Sequence, residues 1–589
     1  MKSQTVLGFV LVCMVPFLEG AALIPLLGGA PTIEQPLNPS RDVSGPPGPH
    51  EAGPVDPPRP RPTVPPPGAM EHSGPWSRGP FQSIQVNVDA AGHNIVGDAA
   101  NEPSIAIDPT NPANIVIGWR QFDSVESNFR QAGYAYSHDR GRSWTFPGVL
   151  ERGLFRSDPV VEADADGNFY YYSLKRNFDC DMFKSTDGGE SWIGPIEAFG
   201  GDKAWIAIDR TGGMGHGQVY CAWDHFGCCD DNVYSRSIDG GFTYSDPIPI
   251  PEFPIWGVTT VGVDGANYVV GRRVGTDREF VLAKSTTVQD PNREPAFDFA
   301  IEVNLGGRLV FHDNGPNPGG LDGQVWVATD HSEGESRGNV YVLASVNPLR
   351  NDPLDVMFIR STDGGITWTD PLRVNDDDEK SGAWQWFGTM SVAPNGRIDV
   401  VFNDTRNTDT IRRSETFYTF SVDAGTTWAS NIPVSLEWDS QVGWPNQNKI
   451  GDYYDMISDD AATNLAYAAT FNGEQDVYFL RIGDCNENGI YDGVDIAEGR
   501  SRDANGNGIP DECEGLCVRD PKWQCDGDVD GDGQVNPVDS GLVQAAFGSA
   551  EESDLCQYDV DCDGQINPVD SGIVQSLFGS CDAPRDVCP

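Results

Sequence analysis

Short stretches of alternating apolar and polar residues, separated by turns rich in Asp, Gly and Asn, run through most of this chain. The apolar positions are largely β-branched or aromatic, and such residues around tight turns predict antiparallel β-hairpins. Seven hairpins lie between about residues 81 and 483. Their first strands begin near Pro103, Pro159, Ala204, Thr259, Gln324, Thr389 and Asp455. A unit of a few short strands is therefore repeated seven times.

An eight-residue pattern, S-x-D-x-G-x-x-W/Y, follows five of the hairpins. Its copies are Ser137–Trp144, Ser185–Trp192, Ser237–Tyr244, Ser361–Trp368 and Ser421–Trp428, with a degenerate sixth expected at Lys284–Thr287. An enzyme needs its nucleophile once, so five copies indicate a structural element. We expect a turn between third and fourth strands. In it the Ser and Asp bind loop N–H groups, the Gly adopts a φ that other residues resist, and the Trp packs back on the strands.

Four-stranded units repeated in this way predict an all-β fold, the β-propeller. The last unit ends at Gln475–Gly483 without a fourth strand, whereas Phe81–Asp89 is a strand without a unit. We expect this first strand to complete the last blade, because closing the ring removes exposed sheet edges. The count is then seven blades, with six as the alternative if one copy is an insertion.

The repeated turn resembles the Asp-box (BNR) repeats of sialidases and related secreted glycosidase-type propellers. The resemblance covers residues 81–483 and implies a propeller, while Asp boxes also occur in propellers that only bind. A sialidase-like glycoside hydrolase would release a terminal acidic sugar. The Arg-Ile-Pro motif that sialidases carry near the start of the domain is absent here. No catalytic residue is therefore transferred by motif.

Candidate catalytic residues follow from position alone. The propeller face opposite the repeated turns collects the starts of first strands and the ends of second strands, which are rich in arginines, carboxylates and aromatic residues. This composition suits a sugar that carries a carboxylate, since arginine forks bind acids and carboxylates do acid–base work. The candidates are Arg120, Arg272 and Arg406 as a clamp, Tyr453 as a nucleophile, and Asp158 or Asp202 as an acid. The alternative for each is a solvated rim residue or a salt bridge between blades.

Net charge and the N-terminal sequence limit the possible partners and the cellular location of the protein. The 589 residues carry a formal net charge of −49, which argues against nucleic acid as a partner. Residues 1–25 predict a secretory signal peptide whose apolar run is too short for a membrane span. Residues 26–80 predict a proline-rich linker. The expected location is extracellular or on the cell surface, with the periplasm as an alternative.

Thirteen cysteines are present, and twelve remain if the signal peptide, which contains Cys13, is removed. An even number in an exported chain favours disulfides, with a zinc site as the alternative. Four of the twelve, at positions 180, 221, 228 and 229, fall in the second and third repeats. Their pairing is left open.

The acidic tail predicts calcium sites. Asp528–Asp539 and Asp559–Asp570 repeat one loop, with oxygen ligands at alternate positions, Gly at the sixth and a short amphipathic helix after each. The expected ligands are Asp528, Asp530, Asp532, Gln534, Asn536 and Asp539, then Asp559, Asp561, Asp563, Gln565, Asn567 and Asp570. Residues 515–589 resemble a type I dockerin, which implies a cohesin-like partner and attachment to polysaccharide-degrading machinery.

Residues 484–514 contain two more segments with Asp, Asn or Glu at similar spacing. The expected Ca²⁺ ligands here are Asp484, Asn486, Asn488, Asp492 and Asp495, then Asp503, Asn505, Asn507, Asp511 and Glu514. This stretch resembles thrombospondin type 3 repeats, in which a disulfide between Cys485 and Cys513 would join the two halves.

The function favoured by the sequence is a secreted carbohydrate-active propeller. It would be a glycoside hydrolase in glycan or polysaccharide breakdown, anchored by a calcium-binding dockerin-like module. The alternative is a non-catalytic propeller that binds glycan or protein at the cell surface.

Overall fold

The computed structural model describes residues 55–312, 314–348, 352–486, 491–497, 500–501, 510, 534–548, 558 and 566–576. Within these residues, thirty strands form seven sheets. The innermost strands of successive sheets contact one another in chain order, and the last contacts the first. The sheets are therefore the blades of a closed propeller. The prediction of seven blades is confirmed, and the six-blade alternative is wrong.

The strands follow one another with little else between them. In chain order they are β1 Trp76–Arg78 and β2 Phe81–Gln85; in blade 1, β3 Ala99–Ile107, β4 Ile115–Phe122, β5 Gln131–Ser137 and β6 Thr145–Leu150; in blade 2, β7 Arg156–Ala163, β8 Phe169–Lys175, β9 Cys180–Ser185 and β10 Ile193–Glu197; in blade 3, β11 Trp205–Ile208, β12 Val219–Ala222 and β13 Tyr234–Ser237; in blade 4, β14 Pro254–Ile255, β15 Thr259–Val261, β16 Asn267–Arg273, β17 Phe280–Ser285 and β18 Phe299–Val303; in blade 5, β19 Trp326–Thr329, β20 Val340–Val346, β21 Asp355–Ser361 and β22 Leu372–Arg373; in blade 6, β23 Gln385–Val392, β24 Ile398–Asp404, β25 Arg413–Ser421, β26 Ile432–Pro433 and β27 Trp438–Asp439; in blade 7, β28 Asp455–Ser458, β29 Thr463–Ala469 and β30 Asp476–Ile482.

Blade 7 joins the two ends of the propeller. Its strand order is β28, β29, β30, β2 and β1. Strand β2 pairs antiparallel with β30, and Ile84 lies opposite Phe479. The N–H of Val86 extends this pairing by donating to the carbonyl of Val477 at 2.8 Å. The first strand therefore completes the last blade, as predicted, and the ring has no open edge at this seam.

The repeated turn begins at the last residue of the third strand in blades 1, 2, 3, 5 and 6. In the copy at Ser361, the hydroxyl donates to Asp363 Oδ1 at 2.8 Å and accepts from the N–H of Gly365 at 2.9 Å. Asp363 also accepts from the N–H of Thr367 at 2.9 Å. The hydrogen bond from the Thr367 hydroxyl leads the interactions that lower the pKa of Asp363 to about 2. The turn that the sequence predicted is confirmed.

The glycine of this turn also packs against the preceding blade. Gly141 has φ of +83°, and a Cβ added there would lie 2.2 Å from the ring of Phe479 in blade 7. The ring of Trp144 in the same turn lies 5.3 Å from Phe479. The degenerate copy also lies where predicted, because Ser285 ends the third strand of blade 4. The repeated turn therefore contributes to the contact between blades as well as to its own blade.

The described part of the proline-rich segment contacts the propeller. The N–H of Asp56 donates to Asn128 Oδ1 at 2.7 Å, and its carboxylate accepts from Asn446 at 2.6 Å. The N–H of Met70 donates to the carbonyl of Asn472 at 2.9 Å. These contacts are tertiary structure that the expectation of a spacer did not include, and β1 lies within the expected linker. The predicted signal peptide lies outside the described residues.

The helices whose bounds are described after the propeller are α1 Asp492–Ala497, α2 Pro537–Ala545 and α3 Pro568–Ser576. Tyr491, just before α1, contacts blade 6, where its hydroxyl lies 3.0 Å from that of Tyr418. Helices α2 and α3 are the predicted helices that follow the two calcium loops. They share a small core of Val535, Val543, Ile566 and Val574. The hydroxyls of Ser540 and Ser571 meet at 2.8 Å between them.

Candidate functional site

Every blade has a residue with a positive φ in, or shortly before, its innermost strand. Three of the seven strands carry a register shift there. The residues are Glu102, Asp158, Lys203, Trp256, Gly323, Phe387 and Gly451. A non-glycine residue in this region stores roughly 1–3 kcal/mol of strain, which the surrounding structure must offset. The strained positions form a ring at one face of the propeller, here called the mouth.

Six charged side chains meet at the mouth and form what we call the axial network: Glu102, Arg120, Asp158, Lys203, Lys449 and Asp452. Asp452 Oδ2 lies 2.5 Å from Lys203 Nζ and 2.6 Å from Lys449 Nζ. Arg120 Nε lies 3.1 Å from Glu102 Oε2. The N–H of Lys203 donates to Asp158 at 3.0 Å. Three acids and three bases thus balance in a region where an unpaired charge would be costly.

The axial network is sealed from water. Each of its six residues is at most 6% exposed. Burial raises the pKa of Asp158, but the charges of Lys203 and Arg120 outweigh it and lower that pKa overall. Burial also raises the pKa of Glu102 and prevails there over Arg120 and Lys203. Two carboxyl groups of one network therefore have pKa values displaced in opposite directions.

The structure brings together four of the residues that position alone had singled out. Arg120 and Asp158 belong to the axial network, and Asp202 and Tyr453 each adjoin one of its members in sequence. The hydroxyl of Tyr453 donates to the carbonyl of Pro159 at 3.0 Å. Burial raises the pKa of Tyr453 well above its ordinary value. A neutral phenol committed to a carbonyl is poorly prepared to act as a nucleophile.

Arg406 has other partners. Its guanidinium pairs with Asp404 at 2.7 Å and with Asp376 at 2.5 Å. It also lies over the ring of Phe417, with Cζ 4.6 Å from the centroid. This corresponds to the alternative interpretation, a salt-bridged residue of the rim, and leaves Arg406 few donors for a ligand.

Arg272 differs from the other two arginines of the expected clamp. It is 3% exposed, and its guanidinium stacks on Trp256 with Cζ 4.0 Å from the ring centroid. Its Nη1 donates to the carbonyl of Thr276. Its Nε and Nη2 are buried and have no hydrogen-bond partner among the described residues. Burial lowers the pKa of Arg272 to about 10, so it remains charged at neutral pH.

Residues 223–232 belong to the loop that joins the second and third strands of blade 3. The loop lies on residues 200–202, where the N–H of Asp202 donates to Phe226 at 2.7 Å and that of Asp224 donates to Asp202 at 3.1 Å. It contains a disulfide between the adjacent residues Cys228 and Cys229. Cys180 and Cys221 are buried free thiols. The expectation of a disulfide among these four cysteines is thus met by one neighbouring pair.

Four network members, Glu102, Lys203, Lys449 and Asp452, were not among the sequence-based candidates. Lys203 follows Asp202 at a first-strand start, so comparison of the repeats would have found it. Lys449 lies in the loop before blade 7, three residues ahead of Asp452. Its role depends on a long-range contact that no repeat spacing predicts.

A second group of buried acids lies at the seam of blades 7 and 1. Asp98, Glu474 and Asp476 are at most 1% exposed. Burial raises the pKa of Glu474 to about 7 and that of Asp476 to about 6. Burial, followed by the charge of Asp476, raises the pKa of Asp98 well above its ordinary value. Asp98 Oδ2 accepts from Gln121 at 2.7 Å, and its Oδ1 has no partner among the described residues.

We expect Asp98→Asn to stabilise the protein at pH 8. A carboxyl group whose pKa is raised by folding opposes the folded state once the pH exceeds its unfolded pKa. The amide keeps the oxygen that Gln121 contacts and removes the charge, a gain of roughly 1–3 kcal/mol. Urea unfolding at pH 5 and pH 8 checks this, and the gain must shrink at pH 5, because a lower pH favours the protonated wild-type group. An equal effect at both values would show that Asp98 does not titrate in this range.

Most of the predicted calcium ligands lie outside the described residues. Among the described ligands, Asp492 accepts the N–H of Cys485 at 3.1 Å, and Asp495 pairs with Arg500 at 3.2 Å. Asn536 caps α2 by accepting from Val538 at 2.8 Å, while Asp539 accepts from the N–H of Asn536 at 2.8 Å. In the described part of the chain, no group of three or more His, Cys, Asp or Glu side chains is arranged to hold a metal ion. The predicted ligands that lie outside the described residues are Asn488, Asp503, Asn505, Asn507, Asp511, Glu514, Asp528, Asp530, Asp532, Asp559, Asp561, Asp563 and Gln565.

Five further predicted ligands lie in the described residues. The carbonyl of Gln534 accepts from the Asn536 amide at 3.4 Å. Asn567 caps α3 by accepting from Val569 at 2.9 Å, and Asp570 lies in the first turn of α3. Asp484 lies 3.4 Å from Arg481, and the Asn486 amide lies 3.5 Å from the Ser501 hydroxyl.

Residues 526–578 match the Dockerin type I domain family. The C-terminal module is therefore a dockerin type I domain, and the resemblance inferred from its duplicated loops is confirmed. Such domains bind calcium and dock onto cohesins. They are typical of extracellular proteins associated with cellulosomes. No curated protein matches the chain. Among the helices of the described residues, none is long and apolar enough to cross a bilayer.

Solved structures similar to this chain include several propellers of carbohydrate-active enzymes. A PL25 ulvan lyase has 12% identity and a TM-score of 0.40, covering 68% of this chain and 96% of that one. The sialidase of Trypanosoma rangeli has 12% identity and a TM-score of 0.34, covering 72% and 61%. A protein of unknown function from Dyadobacter fermentans has 14% identity and a TM-score of 0.39, covering 70% and 99%. At these values the similarities carry no information on activity.

Proposed function

We propose that this chain is a dockerin-borne, carbohydrate-active propeller that hydrolyses glycosidic bonds of an acidic glycan at its mouth. The observation that carries the proposal is a pair of buried carboxyl groups, Asp158 and Asp224, whose pKa values are displaced in opposite directions. The dockerin domain supports the same conclusion, since such modules attach enzymes to polysaccharide-degrading assemblies.

The two carboxyl groups suit the two roles that glycoside hydrolysis requires. The pKa of Asp158 is lowered, so its carboxylate is charged at neutral pH and is the candidate base or nucleophile. Burial raises the pKa of Asp224 well above its ordinary value, and the charge of Asp158 adds to the rise. The raised pKa favours the protonated form of Asp224, which makes it the candidate acid. Asp202 links them, because its backbone bonds to Asp224.

The remaining candidate residues would bind the sugar or hold other residues of the site in position. Arg272 is the arginine whose free donors suit the carboxylate of an acidic sugar. Arg120 would hold Glu102 in place. Tyr453, tied to the carbonyl of Pro159, would support the strand that carries Asp158. Because Asp158 and Asp224 are at most 2% exposed, substrate would reach them only when the loop at residues 223–232 moves.

The test is a product assay on single substitutions. Asp158→Asn and Asp224→Asn should each lower the release of sugar from acidic glycans by about a thousandfold or more. Asp230→Asn is the matched control, because this exposed aspartate lies in the same loop. Released sugars are identified by mass spectrometry. Wild-type turnover that survives in both variants would remove the proposed acid–base pair.

A second candidate function is a propeller that binds a glycan without cleaving it. The observation that favours it is the complete pairing and burial of the axial network, which is what a structural core of charges also looks like. Retention of glycans by the wild-type protein with no product would establish this reading.

We also propose that calcium orders the dockerin domain and that the domain docks onto a cohesin-like protein outside the cell. Gln534, Asn536 and Asp539 offer the oxygen ligands that calcium prefers, with the rest of each loop outside the described residues. Chelating calcium from the full-length protein should make residues 526–578 accessible to protease while the propeller stays intact, because this acidic module has only a small apolar core. Limited proteolysis with mass spectrometry measures this, and added magnesium alone should not restore protection. Equal cleavage with and without calcium would contradict the proposal.

A further inference from the structure

Three consecutive residues of the blade 3 loop carry buried polar atoms without partners. These atoms are Trp223 Nε1, Asp224 Oδ2 and both ring nitrogens of His225. Asp224 uses its other oxygen to accept from the N–H of Phe226 at 2.8 Å. Buried polar atoms in folded proteins are nearly always satisfied, so a run of vacancies in one loop requires an explanation.

Arg272 of blade 4 adds two vacant donors to the same region. Burial is the main influence on the pKa values of Asp224, which is raised, and His225, which is lowered, and the positive charge of Arg272 also acts on both. Among the described residues Arg272 forms no ion pair. The rings of Trp256 and Phe311 hold it in position, with Cζ 4.0 Å and 5.5 Å from their centroids. A fixed guanidinium with free donors is prepared to bind an acceptor.

The same loop presents an unusual apolar surface. The Cys228–Cys229 disulfide joins adjacent residues, and Cys228 is exposed while Cys229 is half-buried. The N–H of Cys228 donates to the carbonyl of Gly200 at 3.1 Å. Gly201 and Gly227 allow this close approach, since an added Cβ would lie 2.6 Å and 2.4 Å from a facing carbonyl oxygen. The disulfide is thus a rigid, polarizable apolar surface in the same loop as the polar atoms that lack partners.

We propose that this region is a sugar-binding subsite, in which a pyranose ring lies with its apolar face on the Cys228–Cys229 disulfide. Its hydroxyl or carboxylate edge would reach Arg272, Trp223 and His225. The subsite rests on the proposed function, because it assigns a position to the glycan beside Asp224. It goes beyond that function by placing a recognition surface off the axis, between blades 3 and 4.

The chemistry of the vacant atoms matches a sugar better than a simple anion. Trp223 and Arg272 only donate, the Asp224 carboxyl oxygen accepts, and a neutral His225 ring both donates and accepts. Sugar hydroxyls do both, so one ring edge satisfies this mixed set. The ring faces of a pyranose carry C–H groups, which pack on an apolar surface.

The experiment measures binding apart from turnover. Full-length protein carrying Asp158→Asn, so that no probe is consumed, is titrated by saturation-transfer difference NMR. The probes are methyl glucoside, glucuronic acid and N-acetylneuraminic acid, with acetate and glycerol as small controls. At least one sugar should bind through its ring C–H protons. Arg272→Gln should weaken that binding about tenfold or more, and joint Cys228→Ser and Cys229→Ser replacement should weaken it severalfold.

Arg273→Gln is the matched control. Arg273 is the next residue in the same strand, but it pairs with Glu252 at 3.2 Å and Glu279 at 2.6 Å, away from the vacant atoms. It should change sugar binding less than about twofold. If Arg272→Gln does not fold, Arg272→Lys keeps the charge and loses the fork, and it should still weaken binding.

Several results would overturn the subsite. Acetate binding as strongly as the sugars would indicate an anion site only. Unchanged sugar binding in Arg272→Gln, or equal losses in Arg272→Gln and Arg273→Gln, would place the sugar elsewhere. Absence of any sugar binding would mean that trapped water satisfies the vacant atoms. Sugar binding at this subsite without product from the unsubstituted protein would support the subsite and remove the hydrolase. Product formation by the unsubstituted protein, together with unchanged sugar binding in Arg272→Gln, would support the hydrolase and remove the subsite.

Discussion

Replacing Lys203 by methionine should lower the free energy of unfolding by about 3–5 kcal/mol at neutral pH. The ammonium group lies 2.5 Å from Asp452 and 3.8 Å from Glu102, and the backbone N–H of Lys203 binds Asp158. Without this cation, the three buried carboxyl groups keep Arg120, Lys449 and the charge of Arg130. A methionine fills similar volume, so the loss reports the charge rather than a cavity.

The pH dependence of this variant separates electrostatics from packing. Positive charge lowers the pKa of Asp158 in the folded protein, which stabilises the fold above the unfolded pKa and is lost as the pH falls. The deficit of Lys203→Met should therefore be largest near pH 8 and shrink as the carboxyl groups take up protons. Lys175→Met is the control, because this half-buried rim lysine pairs with Asp181 at 2.7 Å and should cost about 1 kcal/mol or less. A deficit that does not vary with pH would show that the charges are not balanced as described.

Replacing Gly141 by alanine should destabilise the propeller by about 2–4 kcal/mol. Two causes act together: φ is +83°, and the added Cβ would meet the Phe479 ring at 2.2 Å. The contact lies between blades 1 and 7, next to the strand pairing that closes the ring. Relief of the clash would require Phe479 or the repeated turn to shift, which loosens this seam.

Gly153→Ala isolates the backbone cost. Gly153 has φ of +86° but nothing within 4 Å of an added Cβ, so the loss should be about 1–2 kcal/mol. Urea unfolding of both variants gives the difference that belongs to the contact between blades. Equal losses would mean that the turn does not support the neighbouring blade.

The sealed mouth connects these stability predictions with function. Strain at Glu102, Asp158 and Lys203 and the burial of six charges are held in place by the rest of the ring. The nearby loop at residues 223–232, with its disulfide and its vacant polar atoms, is the element whose movement would admit a glycan. Substitutions in the axial network should thus affect stability first, whereas those at Arg272 should affect ligand binding first.

Much of the fold could be read from local patterns. The hairpins, the repeated turn and the unpaired strand at Phe81 predicted seven blades and their closure, because each blade is built from residues close together in sequence. The turn chemistry was readable for the same reason: Ser361, Asp363, Gly365 and Thr367 satisfy one another within seven residues. The duplicated loop and helix identified the dockerin domain in the same way.

The candidate site was harder to predict from the sequence, because the side chains that pair there come from different blades. Position placed Arg120, Arg272 and Arg406 in one clamp, yet only Arg272 keeps free donors. Arg120 is taken by Glu102 and Arg406 by Asp404 and Asp376, and side-chain pairing of this kind depends on rotamers and on neighbours across the ring. Lys203 pairs with Asp452, which is 249 residues away, and Lys449 lies 3.6 Å from Glu102 at the other end of the propeller sequence.

The sequence by itself determined the class of fold, the blade count, the repeated turn and the C-terminal module, since periodicity and turn residues act over short distances. The tertiary structure alone decided which charges neutralise one another, which carboxyl groups have raised or lowered pKa values, and which polar atoms remain vacant. Those properties depend on burial and on the proximity of groups far apart in the chain, and no local pattern encodes them.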